Sequence, residues 1–551
     1  MKIFSASKIF LLFCLFPFYI NAQNFFSSGQ IHGSFQLDAQ YYMEDTLIGA
    51  PEVPEKVLMN AFANIIYTNG DFSAGLRFES FQNVMQGFDP RNKGNGIPYR
   101  FASYKSDELQ VTIGNFYEQY GSGLILRAYQ DWNLGIDNSI DGIQLQYKPL
   151  SGITLKGLIG NQRFFFDKGE GIIRGADGEF ALNEIIKKWS EKKTKITLGG
   201  SVVSKYQKDM DPIYKYPENV AAFAGRLNFV CGKINLVSEY AYKINDPSAV
   251  NNNIYKPGEA LYVSTTYSRK GLGVSVSGKR IDNMNFRSDR SMTGNPLIIN
   301  YLPALTKQHL FTLASIYPYS TQPNGEIGFQ GEVTYNIKKK TKLGGKWGTD
   351  ISVNYSRALS INRTAVNDTT PIGESGTLGY QSDFFKTGDD VFYDDINIGI
   401  TRRISKKLNV EILYAYQTYN AEVIEGHPGA PMVYAHIAAL DVTYKIKDKK
   451  SLQAEIQHLQ TRQDDGNWAM LMLQYTISPK WFFALVDMYN YGNETNEKKI
   501  HYYTASAGFI KNANRIALAY GKQREGILCV GGVCRNVPAA NGITLSIISS
   551  F

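Results

Sequence analysis

The chain has 551 residues, 20% of them charged, 43% hydrophobic and 13% aromatic, with a formal net charge of +8. Its 36 Tyr, 31 Phe and 50 Gly against four Cys exclude a disordered chain and a disulfide-stapled scaffold. The mild charge points to no nucleic acid. Length alone would suggest about three or four soluble domains at roughly 150 residues each, but beyond residue 22 no apolar run reaches the roughly 18 residues of a helical membrane span.

The chain opens on a secretory signal at 1–22. Lys2 and Lys8 supply the positive start, Ile9 to Ile20 the apolar core, and Asn21-Ala22 the cleavage point before Gln23. The remainder, 23–551, alternates apolar and polar residues. In 233–243, Ile234, Leu236, Tyr240 and Tyr242 oppose Asn235, Glu239 and Lys243. In 407–419, Leu408, Val410, Ile412, Tyr414 and Tyr416 oppose Asn409, Glu411 and Gln417. In 432–446, Met432, Tyr434, Leu440, Val442, Tyr444 and Ile446 oppose Asp441, Thr443 and Lys445. The last eleven residues put Ile543, Leu545, Ile547 and Phe551 on one face. A soluble sandwich also alternates, but in strands of about five or six residues. These runs are about twice as long, the length that crosses a bilayer at a 45° tilt. Tyr434 and Tyr444 are spaced to mark the edges of an apolar band about 25 Å tall. The terminal aromatic Phe551 is the kind of residue that outer-membrane assembly machinery reads. The expectation is a single large antiparallel transmembrane β-barrel over 23–551, facing outer-membrane lipid.

Strands are expected at 30–43, 57–67, 71–83, 99–105, 109–118, 139–148, 152–165, 172–184, 194–207, 219–230, 233–244, 258–269 and 271–282. They continue at 294–301, 307–316, 325–337, 347–358, 392–404, 407–419, 432–446, 449–461, 467–477, 480–491, 500–511, 513–523 and 541–551. That is about 26, within a range of 22 to 26. The segments 172–184 and 294–301 are poor strands, included because omitting either would put short turns on the long-loop side. Lysines such as Lys338 to Lys340, Lys406, Lys407, Lys449 and Lys450 gather at the short turns, where they solvate hairpin ends. The stretch 181–193 is a candidate short amphipathic helix.

Chemistry is sparse. Only six His occur, none paired at metal-ligand spacing, and no nucleophile elbow or phosphate-cradling loop is present. His436 and His458 fall on apolar faces and read as interfacial residues. No catalytic residue, cofactor site or metal site is assigned, and an enzyme is not expected. Cys529 and Cys534 enclose Val-Gly-Gly-Val in the last long loop. An oxidising compartment points to a disulfide there, with two unpaired thiols as the alternative; Cys231 reads as unpaired. Polar-face charges of both signs (Arg226, Arg515, Glu239, Asp350, Glu411, Glu455) follow from enclosing water. One loop, 120–137, is too apolar for a solvated connection. Its Leu124, Leu126, Arg127, Tyr129 and Trp132 either narrow the lumen or pack as an extra turn on the rim.

Tyr120-Gly-Ser-Gly with Trp132-Asn-Leu-Gly-Ile-Asp137, the stretch Asn300 to His309, and the stretch Tyr317 to Glu326 resemble the large uncharacterised outer-membrane barrels of Bacteroidota, carried as a domain of unknown function covering nearly the whole chain. The resemblance implies location and barrel architecture and transfers no site residue. No plug domain of roughly 120 residues precedes the first strand, and no peptidoglycan-binding domain follows the last. Two functions are expected to compete: a channel or transporter for a solute or polymer, and a non-transporting subunit of an outer-membrane assembly or secretion complex. An open lumen would favour the first and a loop-filled lumen the second.

Overall fold

The computed structural model describes residues 29–530 and 533–551. The signal peptide read at 1–22 and the residues Gly531 and Gly532 lie outside the described residues. The described chain forms a 24-stranded antiparallel sheet. In chain order its strands are β1 (Gln30–Met43), β2 (Val57–Asn69), β3 (Phe72–Phe81), β4 (Gly94–Lys105), β5 (Leu109–Phe116) and β6 (Ile140–Leu150). Next come β7 (Ile153–Phe164), β8 (Asp167–Ala181), β9 (Thr194–Tyr206), β10 (Asn219–Cys231), β11 (Ile234–Lys243) and β12 (Gly258–Arg269). Then follow β13 (Leu272–Asp282), β14 (Glu326–Ile337), β15 (Thr349–Thr364), β16 (Gln381–Arg403), β17 (Leu408–Asn420) and β18 (Met432–Lys447). The last are β19 (Lys450–Gln460), β20 (Trp468–Ile477), β21 (Trp481–Asn490), β22 (His501–Lys511), β23 (Asn514–Gln523) and β24 (Ala540–Ser550).

Each strand pairs with its chain neighbours, and β24 closes the barrel on β1 from Ser34↔Ser550 to Met43↔Asn541. Closure leaves the barrel without a free edge strand, the condition for crossing lipid without helices. Phe551 completes the seam, its N–H and C=O bonding Gly33 O and N at 3.0 Å each. The period of two puts Ile396, Tyr414, Leu485 and Leu518 on the outside, each 45–60% or close to half exposed, while Asn354, Asn397 and Gln417 turn inward and are buried. Apolar outside and polar inside is the inverse of a soluble protein, and lipid as solvent is its cause. Tyr434 and Tyr444 are both exposed on the outer face.

The count is 24 rather than 26. The expected strands 294–301 and 307–316 do not exist; both lie in one long connection, 283–325, between β13 and β14. Dropping one would have reversed the parity, whereas dropping both preserves it. Pro296, Pro303, Pro318 and Pro323 mark this stretch, and each lacks the N–H a ladder needs. The poor strand at 172–184 is real, as β8, and ends where Leu182–Ile185 and Lys187–Trp189 make single helical turns. Among the described residues no separate plug domain occurs. Other tyrosines, Tyr42, Tyr120, Tyr317, Tyr319, Tyr380, Tyr393 and Tyr419, are buried.

Candidate functional site: connections packed in the lumen and a cavity at the long-loop end

Two connections enter the lumen, 117–139 after β5 and 283–325 after β13. Leu124, Ile125 and Leu126 are 0–1% exposed. They pack with Met284, Phe286 and Ile299 of the second connection on a patch of inner wall made by Leu158, Ile173, Val203, Ala222, Ala241 and Ala260 of β7 to β12. Further along, Phe311, Leu313, Ile316, Tyr317 and Tyr319 sit on Ala415, Ile437, Leu459 and Trp468 of β17 to β20. Fully burying one such side chain is worth about 1.5–3 kcal/mol, so these contacts are standing structure and not transient collapse.

Irregular backbone inside a barrel must still be bonded, and the wall supplies the partners. Gln162 Nε2 donates to Ile298 O at 2.7 Å and Gln417 Nε2 to Ala314 O at 3.1 Å. Leu313 N donates to Gln457 Oε1 at 2.8 Å. The connections also hold each other: Arg127 N donates to Ile299 O at 2.8 Å and Tyr301 N to Gly123 O at 2.9 Å. His309 Nε2 lies 2.5 Å from Asp395 Oδ2, an inward carboxylate of β16.

The five residues singled out in 120–137 do not form one ring. Leu124 and Leu126 belong to the buried patch. The Arg127 guanidinium lies between the rings of Tyr129 and Tyr301, 4.6 and 4.0 Å from their centroids. Trp132 stands apart, 3.8 Å from Phe62 of β2 and over Arg77. Beneath it is a group of four buried charges. Arg77 Nε donates to Glu79 Oε1 at 2.7 Å, Arg163 Nη2 to Glu79 Oε2 at 2.6 Å, and Arg163 Nη1 to Asp137 Oδ2 at 2.7 Å. Arg77 Nη2 closes the square onto Asp137, which also accepts from Tyr117 OH at 3.1 Å. Three of the four charges come from β3 and β7, and Asp137 from the connection. The square therefore pins 117–139 to the wall.

Above this floor is a cavity of about 950 Å³ at the long-loop end. Phe62, Phe81, Phe88, Trp132, Phe164 and Phe165 line it beside Arg91, Arg163, Arg524 and Arg535, with Glu425, Asp464 and Asp465 also in its wall. A hairpin, Gly526–Val530 paired with Val533–Val537, overhangs it, and Cys529–Cys534 form a disulfide across that hairpin. The hairpin is docked from two directions. Asn295 Nδ2 donates to Cys534 O at 2.8 Å, and Arg535 donates to Asn133 O at 2.5 Å and to Gly87 O at 3.2 Å. A second cavity of about 320 Å³ lies on the other side of the hairpin. It shares Arg524, Glu525, Gly526, Ile527 and Val537 with the first and reaches Met470, Val486, Met488 and Thr504 of the inner wall.

The docking contacts of the hairpin and the course of the connection 283–325 escaped sequence reading. The four prolines were the available signal for the latter. Among the described residues no group of three or more His, Cys, Asp or Glu could hold a metal ion. Cys231 is a free, exposed thiol.

The model of a family of unknown function (DUF6029) matches residues 6–551. No curated protein matches. Among solved structures, the P pilus usher (PapC) translocation pore aligns at 10% identity over 94% of this chain and 99% of its own, with a TM-score of 0.44. The siderophore receptor PirA of Pseudomonas aeruginosa aligns at 11% identity over 95% and 80%, with a TM-score of 0.39. OccK3 (OpdO) of Pseudomonas aeruginosa aligns at 10% identity over 79% and 96%, also with a TM-score of 0.39.

Proposed function

The chain belongs to DUF6029, a family of unknown function, and we propose that it is an outer-membrane channel kept closed by its own connections, whose outer gate is the hairpin 526–537. The observation that carries this reading is the pair of cavities that meet at the hairpin, the second of them running onto the inner wall. Beyond it, part of the wall is lined by small side chains, with Phe482 and Arg515 stacked further along the same strands. Ala484, Ser506, Ala519 and Thr544 are aligned in register across β21 to β24, and none belongs to either apolar cluster inside the lumen. That sector is a solute path beside the packed connections, 117–139 being the narrowing segment. On this reading the long loops face outward, the segment 1–22 is a cleaved export signal, and the chain comes from a Bacteroidota-like outer membrane. No enzymatic step is part of it.

A filled lumen equally suits the second reading, a non-transporting subunit of an assembly or secretion complex. Conductance in planar bilayers separates them. A variant with 526–537 replaced by a short Gly-Ser turn should conduct, and adding Ser506→Trp should block most of that current, because the indole fills the proposed path. Silence of every variant, together with stoichiometric co-purifying subunits, would decide for the second reading.

Phe551 is 75% exposed at the seam, which fits recognition by the assembly machinery during insertion. Deleting it should lower the yield of membrane-inserted barrel several-fold with little change in the thermal stability of the fraction that does insert. Equal yields would remove that role.

A further inference from the structure

The outer cavity carries unbalanced charge on two sides, and its chemistry specifies a ligand. Most of its ions are already matched: Arg91 pairs with Asp89 at 2.6 Å, and Arg163 with Glu79 and Asp137. Arg535 is not, and among the described residues neither is Arg524 on the far side. The Arg535 Nε and Nη1 are spent on the carbonyls of Asn133 and Gly87, its face lies 4.2 Å from the Phe88 ring, and among the described residues no carboxylate pairs with it. Burial without a counter-ion pushes its guanidinium down from the usual range. Its Nη2 remains for a ligand anion. A stacked guanidinium with one free donor edge suits a carboxylate.

The far side is acidic. Asp464 Oδ2 accepts from Tyr317 OH at 3.0 Å, and Asp465 Oδ1 from Asn493 Nδ2 at 3.2 Å. Glu425 and Glu525 stand in the same wall. Arg524 lies among them, its Nη1 donating to Glu525 O at 2.8 Å, and His427 Nδ1 is 3.3 Å from Glu425 Oε2. Burial, and then the neighbouring Asp464, push the Asp465 carboxyl up against the opposing pull of Arg524 and Lys498. The connections bearing Gly87 and Asn133 rise from β3 and β5, and those bearing Glu425 and Asp464 from β17 and β19. The two poles are therefore rooted on opposite halves of the barrel, and Phe62, Trp132, Phe164 and Phe165 are also in the lining.

We propose that this cavity binds a short zwitterionic peptide, its carboxylate on Arg535, its ammonium at Asp464 and Asp465, and its side chains on the aromatic lining. The volume of about 950 Å³ lies at the upper end of the roughly 300–1,000 Å³ of small-ligand pockets, which sets a few residues rather than a polymer. A neutral glycan would stack on the same rings but leave Arg535 desolvated without a counter-ion, at an energetic penalty. The proposal rests on the reading of this cavity as the channel's entrance.

The test is calorimetric titration of the purified full-length barrel with the tetrapeptide Ala-Phe-Phe-Ala, its N-acetylated and C-amidated forms, and maltotetraose. The free peptide should bind, and capping either end should weaken binding about tenfold or more, the loss expected for one charge-assisted hydrogen bond. Arg535→Gln should erase the penalty for C-amidation while Arg535→Lys keeps it, and Asp465→Asn should shrink the penalty for N-acetylation. Because Gln and Lys loosen the hairpin alike, their difference reads charge and not docking. No peptide binding, equal binding of capped forms, or binding of maltotetraose alone would overturn the proposal. If gate-free variants conduct while the unsubstituted protein binds no peptide, the ligand assignment fails and the channel stands. If peptide binds while every variant is electrically silent, the channel fails and the ligand assignment stands.

Discussion

Glu79→Gln is expected to destabilise the barrel by about 3–5 kcal/mol, because it removes one member of a square of buried charges and strands another. Glu79 is fully buried and accepts from both Arg77 and Arg163, whose side chains are only 3% and 5% exposed. Gln keeps the size but not the charge, so two guanidiniums are left sharing Asp137. Asp137 lies in the connection 117–139, so the cost falls on that connection's attachment to β3 and β7. Hydrogen exchange should report it locally: amides of 129–138 should exchange faster while those of β17 to β20 keep their protection. A uniform loss across the barrel would mean that the square supports the wall and does not serve as a clasp. Replacing all four charges by apolar residues of similar volume should cost much less than the single substitution, since no uncompensated ion remains.

Freeing the hairpin is expected to have the largest effect on conductance. In Cys529→Ser/Cys534→Ser combined with Asn295→Ala, the cross-hairpin bond is gone and Cys534 O loses its donor. Breaking one or two such contacts costs about 1–3 kcal/mol, which corresponds to about 5–150-fold in the ratio of open to closed states. Single-channel records should show openings that are rare in the unsubstituted protein. Reduction of the unsubstituted protein with a membrane-impermeant thiol should move open probability in the same direction by a smaller factor, since Asn295 and Arg535 still hold the hairpin. Unchanged records in both experiments would show that the hairpin is a fixed cap and that the passage, if used, opens elsewhere.

Both expectations depend on contacts between segments far apart in the chain, and this is where sequence reading stopped. The alternation in 407–419 and 432–446 was legible because strand periodicity is local: Ile412 and Tyr414 face out, and Gln417 faces in, by the geometry of the pleat alone. Parity then constrained the count, and it held even though two strands had been assigned within 283–325. It failed to expose that error because a pair of false strands leaves the alternation of long and short connections untouched. The prolines at 296, 303, 318 and 323 carried the contrary signal, which the parity argument outweighed. In 120–137, composition showed that Leu124, Leu126 and Trp132 could not stand in water, but not which surface would cover them. The Arg535–Phe88 stack joins residues from opposite ends of the chain, and no spacing in the sequence anticipates it.

The sequence by itself determined that this chain is a closed antiparallel barrel with an apolar exterior, because side-chain alternation and strand length depend only on neighbouring residues and on lipid as the solvent. Only the tertiary structure decided what the barrel encloses. The covering of Leu124 and Leu313, the closing of the Arg77–Glu79–Arg163–Asp137 square and the docking of the disulfide hairpin depend on which connections meet inside the wall. Those meetings are set by the curvature and closure of all 24 strands together, a property that no local stretch of sequence contains.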